Sequence, residues 1–131
     1  MKASTAEWVR AAELDLLAVE RLLGDFRLSA ILAFHVQQVA EKLFKALLEE
    51  HDTEPPKTHS LLALYKRVIA VTPGFELDDT AVLVMLDQLY IDARYPGEHG
   101  LLPHGMPDNE DARMFCQFAN GLLKQVVERL V

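Results

Sequence analysis

The strongest constraint on this chain is the rhythm of its apolar residues. They recur at intervals of three and four through five separate stretches, and the alternation that marks a half-buried strand is scarce. Each of the first four stretches is followed by residues that a helix does not tolerate. Gly24 closes the first, Pro55-Pro56 follow the second, Pro73-Gly74 the third, and Pro96-Gly97 the fourth. Such spacing gives each segment one face to bury. Five segments with short to medium links predict an all-α, up-and-down bundle of four to five helices.

The boundaries follow from local chemistry. Ser4-Thr5-Ala6-Glu7 has the pattern of a capping box opening the first helix, with Trp8, Ala11, Ala12, Asp15, Val19 and Leu22 on one face. The second helix begins near Leu28 or Ser29 and runs to about Glu50, with the stripe Leu32, Val36, Val39, Leu43 and Ala46 or Leu47. Thr58 is an N-cap candidate for a third helix ending around Val71. Asp78 or Asp79 suits the start of a fourth, through Val82, Met85, Leu86, Leu89 and Ala93. Asp108 suits the start of a fifth, through Phe115, Ala119, Leu122, Val126 and Leu130. The connection before that last helix is the longest, about 14 residues, and loops of that length are often functional.

With 131 residues and no repeat or low-complexity tract, residues 1–131 make a single domain with one core. The apolar runs are too short for a membrane span, and MKASTAEWVR has no apolar segment of the secretory kind. The single cysteine, Cys116, excludes an internal disulfide and a cysteine-based zinc cluster, and reads as a small core residue. The expectation is a cytoplasmic protein without cofactor or metal.

The formal net charge is −7, and it is unevenly spread. Between Glu76 and Asp111 nine residues are acidic, and Arg94 is the one base. That stretch repels a phosphate backbone, whose binding depends on Lys and Arg displacing counterions. The segment from Arg27 to Arg67 is nearly balanced, with six bases against five acids. Any positive field for a polyanion has to come from there or from a partner.

Two constellations carry possible chemistry. His35, Gln38, Lys42 and Lys45 lie along one side of the second helix, beside its apolar stripe, with Glu41 placed four residues before Lys45 for an ion pair. That side reads either as a solvated face or as a polar seam at an interface or phosphate pocket, with Lys42 as the cation. On the fourth helix, Leu83, Asp87, Tyr90 and Arg94 form a second row. Arg94 in the last turn complements the helix dipole, and Asp87 or Asp15 could pair with it. Asp15 sits among apolar residues and needs a cation in any case. Among the other histidines, His59 reads as a contact to the start of its helix, and His51 and His104 as loop residues. Glu98, His99 and His104 lack the fixed geometry that a metal needs.

Taken in order, AELDLLAVERLL, SAILAFHVQQVAEKLFKALL, PPKTHSLLAL and DARYPG resemble the HEPN family, small helical domains named for a proposed nucleotide-binding role. The match runs from about Trp8 to the last helix, and the A-R-Y-P stretch points to one branch of the family. The resemblance implies a homodimer, often paired with a minimal nucleotidyltransferase in a toxin–antitoxin-like system. It implies a nucleotide site drawing on His35, Gln38, Lys42 and Tyr95. Many members are metal-independent ribonucleases whose signature is Arg, four to six residues, then His, and Arg94 to His99 fits that spacing. The arginine would neutralise charge on the phosphoryl group while the histidine moves protons. Active members usually have a polar residue directly after the arginine, whereas Tyr95-Pro96 follows here.

Overall fold

The computed structural model describes residues 1–94 and 106–131, with the backbone alone described for 92–94. Five α-helices make up the described fold: α1 (Ala3–Leu22), α2 (Ser29–Glu50), α3 (Leu61–Val71), α4 (Ala81–Arg94) and α5 (Asn109–Leu130). A 3-10 turn, Phe26–Leu28, leads into α2, and no strand occurs among the described residues.

The second helix is the axis of the bundle. It packs against α1, α3, α4 and α5 alike. The expected stripe of Leu32, Val36, Val39, Leu43, Ala46 and Leu47 is fully buried, but so are Ala33, Ala40, Phe44 and Leu48. These further positions carry apolar surface around most of the helix, so one helix meets four neighbours instead of lying on one. The remaining helices each contribute a single inward stripe: Val9, Ala12, Leu16 and Val19 from α1, and Phe115, Ala119, Leu122 and Val126 from α5. Cys116 is buried in the same core, and burial pushes its thiol pKa up.

Two helix starts differ from the sequence expectation. The first helix begins at Ala3, and Ser4 and Thr5 do not cap it. Their hydroxyls donate across the bundle to Glu49 (2.8 Å) and Glu50 (2.9 Å) at the end of α2. A hydroxyl donating to a carboxylate makes a charge-assisted bond, stronger than a neutral cap, and antiparallel packing brings the two acids into range. The Lys2 N–H also donates to Glu50 (3.0 Å), and these donors hold the Glu50 carboxyl below its ordinary range. The third helix starts at Leu61, not beside Thr58, with Ser60 accepting from the Ala63 N–H (3.2 Å). Thr58 instead accepts from the Ser60 N–H (3.2 Å).

The other starts match. Asp79 accepts from the Ala81 N–H (2.8 Å) at the head of α4. Asp108 and Asp111 form a reciprocal capping box on α5. Ser29 donates to the Pro107 carbonyl (2.6 Å), tying the start of α2 to the start of α5.

Candidate functional site

Two groups of polar side chains emerge from α2, one toward α1 and one toward the α3–α4 pair. The first is centred on Asp15. Its carboxylate meets His35 Nδ1 at 2.9 Å and Lys42 Nζ at 2.5 Å, so two residues of the expected seam converge on the one half-buried acid of α1. Asp15 thus finds its cation on α2. Lys42 is already charge-matched, which leaves it a weaker anion site than an unpaired lysine would be.

The second group is centred on Glu41, whose side chain is 7% exposed. One oxygen accepts from Lys45 Nζ (3.0 Å); the other accepts from Gln37 Nε2 (3.2 Å) and meets His59 Nδ1 (3.1 Å). The Lys45 ammonium, itself 10% exposed, lies 5.7 Å from the centre of the Trp8 ring. The Glu41–Lys45 pair expected from spacing is therefore present, and it is buried. Gln37 also donates to the His59 carbonyl (2.7 Å) and accepts from Gln38 Nε2 (2.7 Å). The seam thus divides: His35 and Lys42 face Asp15, while Gln38 and Lys45 join the Glu41 network.

His59 is the exposed member of that network, at 57%. With Nδ1 held by a carboxylate, the ring's orientation is fixed and Nε2 is the nitrogen left for a ligand. Its ring lies 5.3 Å from that of Tyr90, and Tyr90 lies parallel to Phe34 at 5.5 Å, with 9° between their planes. His59 and Tyr90, with Ser60, Leu62, Asp87 and Ile91, border an open groove of about 400 Å³ between α3 and α4. Asp87 anchors this groove. It accepts from the Leu61 N–H (2.8 Å), the Leu62 N–H (3.3 Å) and the Ser60 hydroxyl (3.3 Å), so a side chain from α4 caps α3. Partial burial pushes its carboxyl above the usual range despite those donors.

Arg94 is the last residue of α4, one helical turn beyond Tyr90 and Ile91 along the backbone. The expected partner His99, and Tyr95, lie outside the described residues, as do Glu98 and His104. His51 follows the end of α2 and is exposed, and it takes no part in either group. No cluster of three or more His, Cys, Asp or Glu suited to a metal occurs among the described residues. No described helix is long and apolar enough to cross a membrane.

Sequence reasoning missed Gln37, His59 and Phe34 as members of one site. Gln37 and Glu41 are four apart, so a shared face was legible. Their meeting with the segment before α3 was not.

Five helices gathered around α2, with no strand among the described residues, give the all-α architecture that the resemblance to the HEPN family implies. The sequence model of the HEPN domain matches residues 5–130, nearly the whole chain, and the protein belongs to the HEPN family. Among solved structures it is similar to TT1696 from Thermus thermophilus, with 24% identity and a TM-score of 0.73. That match covers 98% of this chain and 99% of the other, and speaks for the fold. No curated protein matches the chain.

Proposed function

We propose that this chain is the HEPN half of a toxin–antitoxin-like pair with a minimal nucleotidyltransferase, and that its homodimer cleaves RNA without a metal at Arg94 and His99. The observation that carries this reading is the groove bordered by His59 and Tyr90, with Tyr90 on the helix that ends at Arg94. A nucleotide needs a flat ring surface for its base and a cation for its phosphate, and α4 supplies the two in succession. Arg94 neutralises charge building on the phosphoryl oxygens. His99 takes the proton from the 2′-hydroxyl or returns one to the leaving 5′-oxygen, and its counterpart in the second subunit serves the other step. The products are a 2′,3′-cyclic phosphate and a 5′-hydroxyl. The acidic Glu76–Asp111 stretch offers no long basic track, so recognition is local, confined to a few nucleotides.

The test is an end-labelled oligoribonucleotide incubated with purified protein in EDTA. Wild type is expected to release cyclic-phosphate ends, with Arg94→Ala and His99→Ala each slower by about 100-fold or more. RNA left equally intact by wild type and His99→Ala would overturn the nuclease reading.

The acidity and the Tyr95-Pro96 departure favour a second reading, in which the site binds nucleotide or partner without cutting. His35, Gln38 and Lys42 then take part only where a phosphate draws Lys42 away from Asp15. Nucleotides and a candidate nucleotidyltransferase titrated against wild type and Lys42→Ala decide this. Binding that is absent, or equal in both proteins, removes the Lys42 seam from the site.

A further inference from the structure

The outer face of α1 is not used by the fold. Glu7, Arg10, Leu14, Leu17 and Arg21 follow one another at intervals of three, four, three and four, the spacing of a helix-pairing seam. All five are exposed, Leu14 at 70% and Leu17 at 48%. Beside them, between α1 and α5, lies an open groove of about 540 Å³ floored by Leu16 and Leu123 and edged by Glu13 and Glu20. The apolar centre of the face and its charged ends are arranged symmetrically. Glu7 and Arg21 each stand seven residues from Leu14, two turns or about 10 Å along the axis.

We infer that this face is a self-association surface that takes the α1 helix of a second copy, antiparallel, with Leu14 on the two-fold axis. In that register Glu7 meets Arg21 of the partner subunit, and Arg21 meets the partner's Glu7. Leu14 packs on the partner's Leu14, and Leu17 lies along the aliphatic stem of the partner's Arg10. A parallel pairing would set like charges together at both ends, so the charges select the orientation. The surface is independent of the RNA reading: α1 packs on α2 and α5, whereas α4 packs on α2 and α3. A pairing through α1 therefore leaves the groove beside Tyr90 open. One helix pair covers less than the roughly 800 Å² per partner of a standard interface, so the association is weak and concentration-dependent.

The experiment is site-directed disulfide trapping in a Cys116→Ala background, followed on non-reducing gels. Leu14→Cys is expected to cross-link at least tenfold faster than Ile69→Cys, an equally simple thiol on the exposed side of α3. Adding Glu7→Arg or Arg21→Glu to Leu14→Cys is expected to slow trapping by about tenfold, because each reversal sets two like-charge contacts across the axis. Combining both reversals restores it. Trapping of Leu14→Cys no faster than Ile69→Cys would overturn the surface. Failure of the double reversal to recover would overturn the register. RNA cleavage by the trapped dimer is read separately and bears only on the α4 site.

Discussion

Two carboxylates in this molecule are each met by a lysine and a histidine, and the two sites have different consequences. Asp15 joins two helices: its carboxylate is on α1 and both partners are on α2. Its histidine is 30% exposed and contacts Phe34 edge-on. Glu41 shares α2 with its lysine and takes its histidine from the segment before α3. That histidine is 57% exposed at the rim of a groove. The Asp15 group has the geometry of a weld, with its charges used up between helices. The Glu41 group has the geometry of a mount, with a buried carboxylate orienting an imidazole that faces solvent. The same three residue types make scaffold in one place and a candidate working group in the other, depending on where the histidine's second nitrogen is left.

The comparison breaks most visibly at Glu41. Glu41→Ala leaves the Lys45 ammonium nearly buried and unpaired, and is expected to cost about 3–5 kcal/mol in a urea or thermal unfolding measurement. A loss below about 1 kcal/mol would show that Lys45 reaches water. Asp15→Ala is expected to cost about 2 kcal/mol by the same measurement, since Lys42 and His35 are open enough to be solvated when their acceptor goes. His59→Gln separates mount from weld: stability changes by less than about 1 kcal/mol, while RNA cleavage or nucleotide affinity falls at least tenfold. His35→Gln is expected to show the reverse pattern.

The smallest effects are in pH dependence. The Glu50 carboxyl is held low by donors from Lys2 and Thr5, so its contribution is present above its unfolded pKa and is lost as pH falls through the folded value. The Asp87 carboxyl is pushed up by burial, so its contribution is present below its unfolded pKa and is lost as pH rises through the folded value. The Tm of Glu50→Gln should therefore fall further behind wild type as pH rises from about 3 to 6. That of Asp87→Asn should gain on wild type over the same range. Slopes of the same sign would contradict one of the two assignments.

Much of the fold could be read in advance. The start of α2 at Ser29, the Asp108 cap and the buried Leu32–Leu43 stripe follow from spacing and capping chemistry alone. The start of α1 could not, because Ser4 and Thr5 had a local partner on paper and a better one at the far end of α2. The site was half legible. The seam residues His35, Gln38, Lys42 and Lys45 fall on α2 as expected, yet they divide between two carboxylates. Asp87 also caps α3 from the neighbouring helix, a contact that spacing along α4 does not reveal.

Alone, the sequence determined five helices and, for α5, the face that is buried, because neighbours three and four positions away settle both. The buried face of α1, through Val9 and Leu16, and the wider burial of α2 came from packing. Tertiary structure decided which acid meets which base: Asp15 finds Lys42 27 positions away, and Glu41 finds His59 18 away. Helical spacing says which side of a helix a charge occupies. It does not say which neighbour arrives there, since that depends on how rigid helices pack around α2.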